Sequence, residues 1–191
     1  MRRTVDQETG ELWVFGYGSL MWRPGFAYIE RVPARLIGLH RALCVFSFVH
    51  RGTAERPGLV LGLDRGGMCR GIAYRVAAAK RPETVNYLRS REQVTSVYVE
   101  TVRLIELEDE IRRRVRALVF IVDRSHVQYA GRLTLAESLH YVRQGHGKSG
   151  ADRDYVLETV RALESLGYRE TDLHVLAKQL RGVREAGTAV Q

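Results

Sequence analysis

Apolar residues form short alternating or continuous runs through the first two thirds of the chain and follow helical spacing in the last third. The first pattern predicts strands over residues 12–15, 34–49, 59–63, 71–76, 97–107 and 115–122. Between the third and fourth of these, Asp64-Arg65-Gly66-Gly67 predicts a tight turn that joins them as a hairpin.

One helix is predicted between the strands and three after them. Proline at the first turn and an acid beside it place the first helix from Arg81-Pro82-Glu83 to about Val94. The later stripes are Leu135, Leu139, Val142 ending at Gly145; Val156, Val160, Leu163 ending at Gly167; and Leu173, Leu176, Leu180 after a cap at Thr171 or Asp172. This order favours an α+β fold, and we expect a small, mostly antiparallel β-barrel surrounded by α-helices.

A chain of 191 residues is long enough for one catalytic domain, with residues 1–11 and 182–191 expected as flexible tails. No apolar run predicts a membrane span, and the polar residues after Met1-Arg2-Arg3 do not resemble a signal peptide. The cytoplasm is therefore the expected compartment. There Cys44 and Cys69 are expected as free thiols, and nothing in their context indicates a redox role.

The net charge of +8 comes mainly from arginine, because all but three of the 30 basic residues are arginines. They are scattered along the chain. The one dense cluster, Arg112-Arg113-Arg114 with Arg116, follows an acidic run and is interpreted as a charged hairpin turn rather than a nucleic-acid site. No nucleic acid is expected as a partner, the oligomeric state is not indicated, and the positive field suits a small anionic substrate.

An apolar strand leads directly into a turn that contains Gly16 and Gly18. Glycine lets the backbone bend sharply and lets a ligand approach its N–H groups, so this turn predicts an anion or carbonyl site as an alternative to a plain turn. A dinucleotide site is excluded, because Met21 replaces the third glycine and Pro24-Gly25 interrupts the helix that should follow.

A second glycine-rich loop covers residues 145–150 and resembles the end of a phosphate-binding loop. Val142 stands where the first glycine of that motif belongs, and a predicted helix replaces the strand that should precede it. Ala151 also excludes a serine nucleophile elbow. A tight turn is the simpler interpretation of this loop.

Glu92 continues the inward face of the first predicted helix. Val85 and Leu88 lie on one face, and the next position of that stripe is Glu92. A buried carboxylate has a raised pKa unless it finds a partner, and a raised pKa suits a general base near neutral pH. The alternatives are that Glu92 pairs with a buried arginine, or that the helix ends before it and leaves it exposed. The six histidines and two cysteines have no metal-ligand spacing, so no metal site is expected.

These residues resemble the ChaC-like γ-glutamylcyclotransferases, which act on glutathione. The matching segments, in order over roughly residues 12 to 180, are Val14-Phe15-Gly16-Tyr17-Gly18-Ser19-Leu20-Met21-Trp22, His50-Arg51-Gly52 with Pro57-Gly58, Gly71-Ile72-Ala73-Tyr74-Arg75, Tyr87-Leu88-Arg89-Ser90-Arg91-Glu92, and Ser149-Gly150 with Asp154-Tyr155-Val156. The chain departs from the family pattern at two places. After Arg91-Glu92 it has Gln93-Val94-Thr95-Ser96-Val97-Tyr98, where many animal members have a double glycine, and Asp152 stands where asparagine or proline is frequent.

The resemblance implies a lyase that needs no cofactor, because the substrate's own amine is the nucleophile. Glu92 would take a proton from the α-ammonium, and the amine would then attack its γ-carbonyl to give 5-oxoproline and Cys-Gly. Implied substrate-binding residues are Val14, Phe15, Gly16, Tyr17, Gly18, Ser19 and Leu20, with Tyr98 and Tyr155 as further contacts. The alternatives are a γ-glutamyl-amine or γ-glutamyl-amino-acid cyclotransferase and, more remotely, an anion-binding or nucleic-acid-binding module.

Overall fold

The computed structural model describes residues 10–92 and 96–182. The strands are β1 (Leu12–Gly16), β2 (Glu30–Ser47), β3 (Gly58–Val76), β4 (Tyr98–Leu107), β5 (Arg114–Val122), β6 (His146–Gly147) and β7 (Gly150–Ala151). The helices are α1 (Arg81–Glu92), α2 (Leu135–Gln144), α3 (Asp152–Ser165) and α4 (Thr171–Gly182). The predicted order, strands first with one helix among them and three helices afterwards, is confirmed.

The five long strands close into a barrel in the order β1-β3-β2-β4-β5. β1 pairs antiparallel with β3, as in Val14 opposite Tyr74, and parallel with β5, as in Trp13 opposite Ala117. Closure gives β1 a paired strand on each side, and four of its five residues are buried, which agrees with its almost entirely apolar sequence. The expected α+β fold with a mostly antiparallel barrel is confirmed.

The hairpin predicted at residues 64–67 is wrong. β3 runs without reversal from Gly58 to Val76, through both glycines. Gly66 and Gly67 have φ angles of 94° and 68°, so they bend the strand locally but do not turn it back. β3 has 19 residues and lies beside the 18-residue β2 in the barrel, and hydrogen bonding between these two long strands opposes a reversal within β3.

The charged hairpin turn predicted for the arginine cluster is confirmed between β4 and β5, where Glu106 lies opposite Arg114. Arg113 binds the carboxylates of Asp109 and Glu30, and its guanidinium holds the pKa of both carboxyls below their usual range. The Arg113 side chain is therefore committed to ion pairs.

Contacts divide the chain into two compact units. One comprises Met1–Ala42 and Gly62–His126, and the other comprises Leu43–Leu61 and Val127–Gln191. The first contains α1, and the second contains α2, α3 and α4. A single catalytic domain over residues 1–191 stays a prediction; of the expected tails, residues 1–9 and 183–191 lie outside the described part.

The helices of the second unit begin and end for local reasons. Thr134 and Glu137 form a capping box at the start of α2, with reciprocal side-chain to backbone bonds. Gly167, at a φ of 71°, follows α3, as predicted from its position. Among the described residues, every helix is too short or too polar to cross a membrane.

Candidate active site

The turn after β1 approaches its neighbours so closely that glycine is required. The strand ends at Gly16, and Ser19–Met21 form one turn of 3₁₀ helix. A Cβ atom on Gly16 would lie 2.8 Å from the Cβ atom of Leu20, inside van der Waals contact. Gly16 therefore lets the chain fold back on itself directly after the strand.

The carbonyl groups of this turn are all engaged by the protein. The Tyr17 carbonyl accepts a hydrogen bond from the guanidinium of Arg41. The Gly18 carbonyl accepts one from the Met21 N–H, and the Ser19 carbonyl accepts from the N–H groups of residues 22 and 23. The Tyr74 hydroxyl donates to the Leu20 oxygen at 2.8 Å and to the Met21 oxygen at 3.1 Å. The acceptor side of the turn is thus fully committed within the fold.

Part of the donor side of the turn is unused within the described residues. Within residues 10–92 and 96–182, the backbone N–H groups of Gly18, Ser19 and Leu20 donate no hydrogen bond. Gly18 and Leu20 are buried, and buried backbone donors almost always have a partner. Three successive free donors with engaged carbonyls form a candidate site for an anionic or strongly polarised oxygen.

Most predicted binding residues of this segment can contribute only backbone atoms. The side chains of Val14, Phe15, Tyr17 and Leu20 are buried, and Val14 and Leu20 belong to the hydrophobic core cluster. Ser19 is half-buried, and its hydroxyl accepts a hydrogen bond from Arg91 at 2.8 Å. A substrate contact by Val14 and Phe15 therefore stays a prediction and does not follow from their side-chain placement.

Glu92 is the last residue of α1 and continues the stripe of Val85 and Leu88, both buried, as predicted. Its side chain is 18% exposed. Burial raises the pKa of the Glu92 carboxyl, and the charge of Arg91 opposes this without cancelling it. The sequence left two alternatives open for Glu92. The helix does not end before Glu92, so the exposed position is excluded, and the arginine partner is present as Arg91.

Arg91 connects Glu92 to the glycine turn. Its Nε atom lies 3.4 Å from Glu92 Oε1, and its Nη2 atom donates to the Ser19 hydroxyl. Its Nη1 atom donates to the Arg23 carbonyl at 2.7 Å and to the Tyr87 hydroxyl at 2.8 Å. One guanidinium therefore touches both the carboxylate and the turn with free donors, a role that sequence spacing did not predict.

The two tyrosines predicted as substrate contacts lie in different compact units, and both contacts stay predictions. Tyr98, half-buried at the start of β4, packs against the core cluster that contains Leu20 and Leu88. Tyr155 is buried in α3, where its hydroxyl accepts a hydrogen bond from the Leu61 N–H at 3.2 Å. The Arg51 guanidinium lies 5.2 Å from the centre of its ring.

The second glycine-rich loop forms a small two-stranded sheet, β6 and β7, in the second unit. Asp152 follows it at the start of α3 and is completely buried. Its Oδ2 atom accepts a hydrogen bond from the Leu59 N–H at 2.6 Å, and its Oδ1 atom has no partner among the described residues. Burial raises the pKa of Asp152 to about 8, against the opposing effects of the Leu59 hydrogen bond and the Arg51 charge.

Among the described residues, no three histidine, cysteine or acidic side chains lie close enough together to hold a metal ion. Cys44 and Cys69 are both buried and free. The described site brings together a buried carboxylate, a guanidinium and a row of backbone donors.

Comparison with known proteins identifies the family. A family model described as ChaC-like protein matches residues 12–186. The chain belongs to the ChaC-like family. The resemblance found in the glycine turn and in the Arg91-Glu92 segment is thereby confirmed.

Relatives within the ChaC-like family are similar over most of this chain. The glutathione-specific γ-glutamylcyclotransferase of Escherichia coli is 34% identical over 91% of this chain and 75% of its own length. The enzyme of the same name from Schizosaccharomyces pombe is 31% identical over 91% of this chain and 92% of its own length. The crystal structure of a glutathione-specific γ-glutamyl cyclotransferase from yeast has the same fold, with a TM-score of 0.84 at 22% identity over 91% of this chain and 96% of that one.

Proposed function

We propose that this chain is a γ-glutamylcyclotransferase that converts glutathione to 5-oxoproline and Cys-Gly. Membership of the ChaC-like family and two relatives with that printed activity support the substrate class. The observation that carries the proposal is the Arg91 guanidinium, which touches both the Glu92 carboxylate and the glycine turn. The same guanidinium thus contacts a buried carboxylate and a turn with free backbone donors, which supports the proposal.

In the proposed reaction, Glu92 is the general base. Its carboxylate accepts a proton from the α-ammonium of the γ-glutamyl group, and the neutral amine forms a C–N bond with its own γ-carbonyl carbon. A tetrahedral intermediate with a negative oxygen results. In this intermediate the attacking nitrogen still carries two protons and a positive charge. Collapse breaks the original amide bond as the departing nitrogen takes the proton held by Glu92, and the ring nitrogen gives its surplus proton to the freed amine. Five-membered 5-oxoproline and a free amine leave the site, and Glu92 is again ionised.

The nucleophile and the bond that breaks belong to one substrate molecule, so the protein contributes mainly position and polarity. Holding the amine beside the carbonyl removes much of the entropic cost of ring closure, an effect worth several kcal/mol in comparable intramolecular reactions. The free N–H groups of Gly18, Ser19 and Leu20 suit either the oxyanion or the α-carboxylate. A single oxyanion donor contributes about 3 kcal/mol in the transition state.

The environment of Glu92 suits this task. Burial raises the pKa of its carboxyl towards the range in which a group can both take and return a proton near neutral pH. Two buried free thiols agree with a reducing compartment, and the cytoplasm is therefore the proposed location of the protein. The proposed partner is a small molecule, and no nucleic acid is invoked.

The test is mass detection of 5-oxoproline after incubation of the pure protein with glutathione. We expect 5-oxoproline and Cys-Gly in equal amounts, with activity unchanged by a chelator. A parallel series of γ-glutamyl amines and γ-glutamyl amino acids, compared by kcat/KM, tests the alternative substrates. If one of these compounds has a higher kcat/KM than glutathione, that compound becomes the proposed substrate. If none of them, glutathione included, yields 5-oxoproline, the proposed reaction is contradicted.

Replacing Arg91 by methionine is expected to lower kcat/KM for glutathione about 10- to 100-fold. The change removes the contacts to Ser19 and Glu92 but keeps most of the side-chain volume. Misplacement of reacting groups by an ångström can cost about a hundredfold in rate. Steady-state kinetics measures the effect.

The matched control for this variant is Arg89→Met on the same helix. Arg89 makes a bidentate ion pair with Glu100, at 2.7 and 2.9 Å, and its loss removes a comparable interaction elsewhere in the unit. We expect Arg89→Met to lower the melting temperature while kcat/KM changes by less than about threefold. Equal losses of activity in the two variants would assign Arg91 a general structural role.

A further inference from the structure

Arg41 is a buried cation directed at the glycine turn. It lies on β2, and its residue is 7% exposed. Its Nε atom donates to the Tyr17 carbonyl oxygen, and its Nη2 atom donates to the Arg70 carbonyl oxygen and lies 3.6 Å from the Met21 sulfur. Burial of a guanidinium carries a high desolvation cost. The hydrogen bonds to two backbone carbonyls and the contact with a thioether offset this cost for Arg41.

The Tyr17 carbonyl and the Gly18 N–H belong to one peptide group. Every described peptide bond is trans, so this N–H points away from the carbonyl and hence away from Arg41. A cation bound to a carbonyl polarises the whole peptide group and makes its N–H a stronger donor. The same N–H is one of the three that have no acceptor within the described part of the chain.

We propose that Arg41 is a positioning residue of the candidate site: its guanidinium fixes the Tyr17–Gly18 peptide so that the Gly18 N–H donates to an anionic oxygen of the γ-glutamyl substrate. The inference rests on the proposed function and adds a residue to it. Arg41 acts through the peptide group and does not itself touch the substrate. Arg70 gives it a second anchor, which sets the direction of the guanidinium.

Three variants test this role. Arg41→Met removes the charge and the donors, whereas Arg41→Lys keeps the charge but cannot donate in the same fork to both carbonyls. Arg35→Met is the control, because Arg35 lies on the same strand and forms an ion pair with Glu106 at 2.7 Å. We expect kcat/KM for glutathione to fall about 10- to 100-fold in Arg41→Met, less in Arg41→Lys, and by less than about threefold in Arg35→Met.

Separate measurement of kcat and KM distinguishes the two possible oxygens. A lower kcat means that the donor serves the oxyanion, and a higher KM means that it serves the α-carboxylate; each result supports the proposal. A folded Arg41→Met protein with wild-type kcat and KM overturns the proposal. If this variant does not fold, Arg41→Lys decides by the same criterion.

Binding measurements separate this proposal from the proposed function. Calorimetry of glutathione binding to proteins that also carry Glu92→Gln gives a Kd without turnover. A wild-type protein that makes no 5-oxoproline contradicts the function, and the Kd then decides the role of Arg41. A weaker Kd with Arg41→Met supports the role, and an unchanged Kd in a protein without turnover overturns it.

Discussion

Glu92→Gln is expected to lower kcat for 5-oxoproline formation about 10³-fold while the folded structure persists. Glutamine keeps the shape of the side chain but cannot accept the proton of the α-ammonium, and general base catalysis contributes about 10²- to 10⁴-fold. Product formation from glutathione, followed by mass detection, measures the loss.

The stability of this variant distinguishes a catalytic loss from an unfolded protein. Burial raises the pKa of Glu92, so the native state holds its proton to higher pH than the unfolded chain does. Ionisation of Glu92 therefore lowers the free energy of unfolding as the pH rises from its usual pKa of 4.5 through the raised value. Neutral glutamine removes this penalty, and the melting temperature at pH 8 is expected to hold or rise.

Glu83→Gln is the matched control for Glu92→Gln. Glu83 lies in the first turn of the same helix, where it pairs with Lys80 at 2.7 Å and is 72% exposed. Its loss should leave kcat within about twofold. Retained turnover in Glu92→Gln would remove Glu92 from the mechanism, whatever the result for Glu83.

Asp152→Asn is expected to raise stability at alkaline pH by at least about 2 kcal/mol, or roughly 4–8 °C in melting temperature. Asp152 is completely buried and its pKa is raised to about 8, so its ionised form is strongly disfavoured in the native state. Asparagine can accept the same hydrogen bond from the Leu59 N–H without a charge. Thermal unfolding followed by circular dichroism measures the difference.

The dependence of this effect on pH gives its cause. Between the usual pKa of 3.8 and about 8, the unfolded chain loses the Asp152 proton while the native state keeps it, so wild-type stability falls as the pH rises. The advantage of asparagine should therefore vanish near pH 4 and be greatest above pH 8. Asp154→Asn is the control, because Asp154 lies in the same turn of α3 and is 63% exposed. An equal effect of Asp152→Asn at pH 5 and pH 8.5 would contradict this explanation.

The part of the site that depends on local spacing could be predicted from the sequence. A stripe with a period of three to four residues placed Glu92 on the inward face of α1, and an apolar run followed by two glycines located the turn after β1. Both follow from contacts between residues close in the chain. The order of the strands and helices follows from the same kind of signal.

The part that depends on distant contacts could not be predicted in the same way. Asp64-Arg65-Gly66-Gly67 has the residues of a turn, but β3 continues through it. On β2, Gly38 at a φ of 88° shifts the alternation, so that even-numbered Leu36 and odd-numbered Arg41 are both buried. A strict period of two would therefore place Arg41 on the wrong face. The position of Arg91 between a helix end and a turn about 70 residues earlier has no local signal at all.

The division of the chain into two units has a consequence for folding during synthesis. Each unit is assembled from two separate segments, because the chain leaves the first unit after Ala42, returns at Gly62 and leaves again after His126. The first unit therefore lacks part of its core until residue 126 has emerged from the ribosome, and the second until the C-terminal helices follow. β1 must wait for β5, more than 90 residues later, to gain its second neighbour. Over that interval the nascent chain exposes apolar strands, so we expect it to need protection by chaperones during translation.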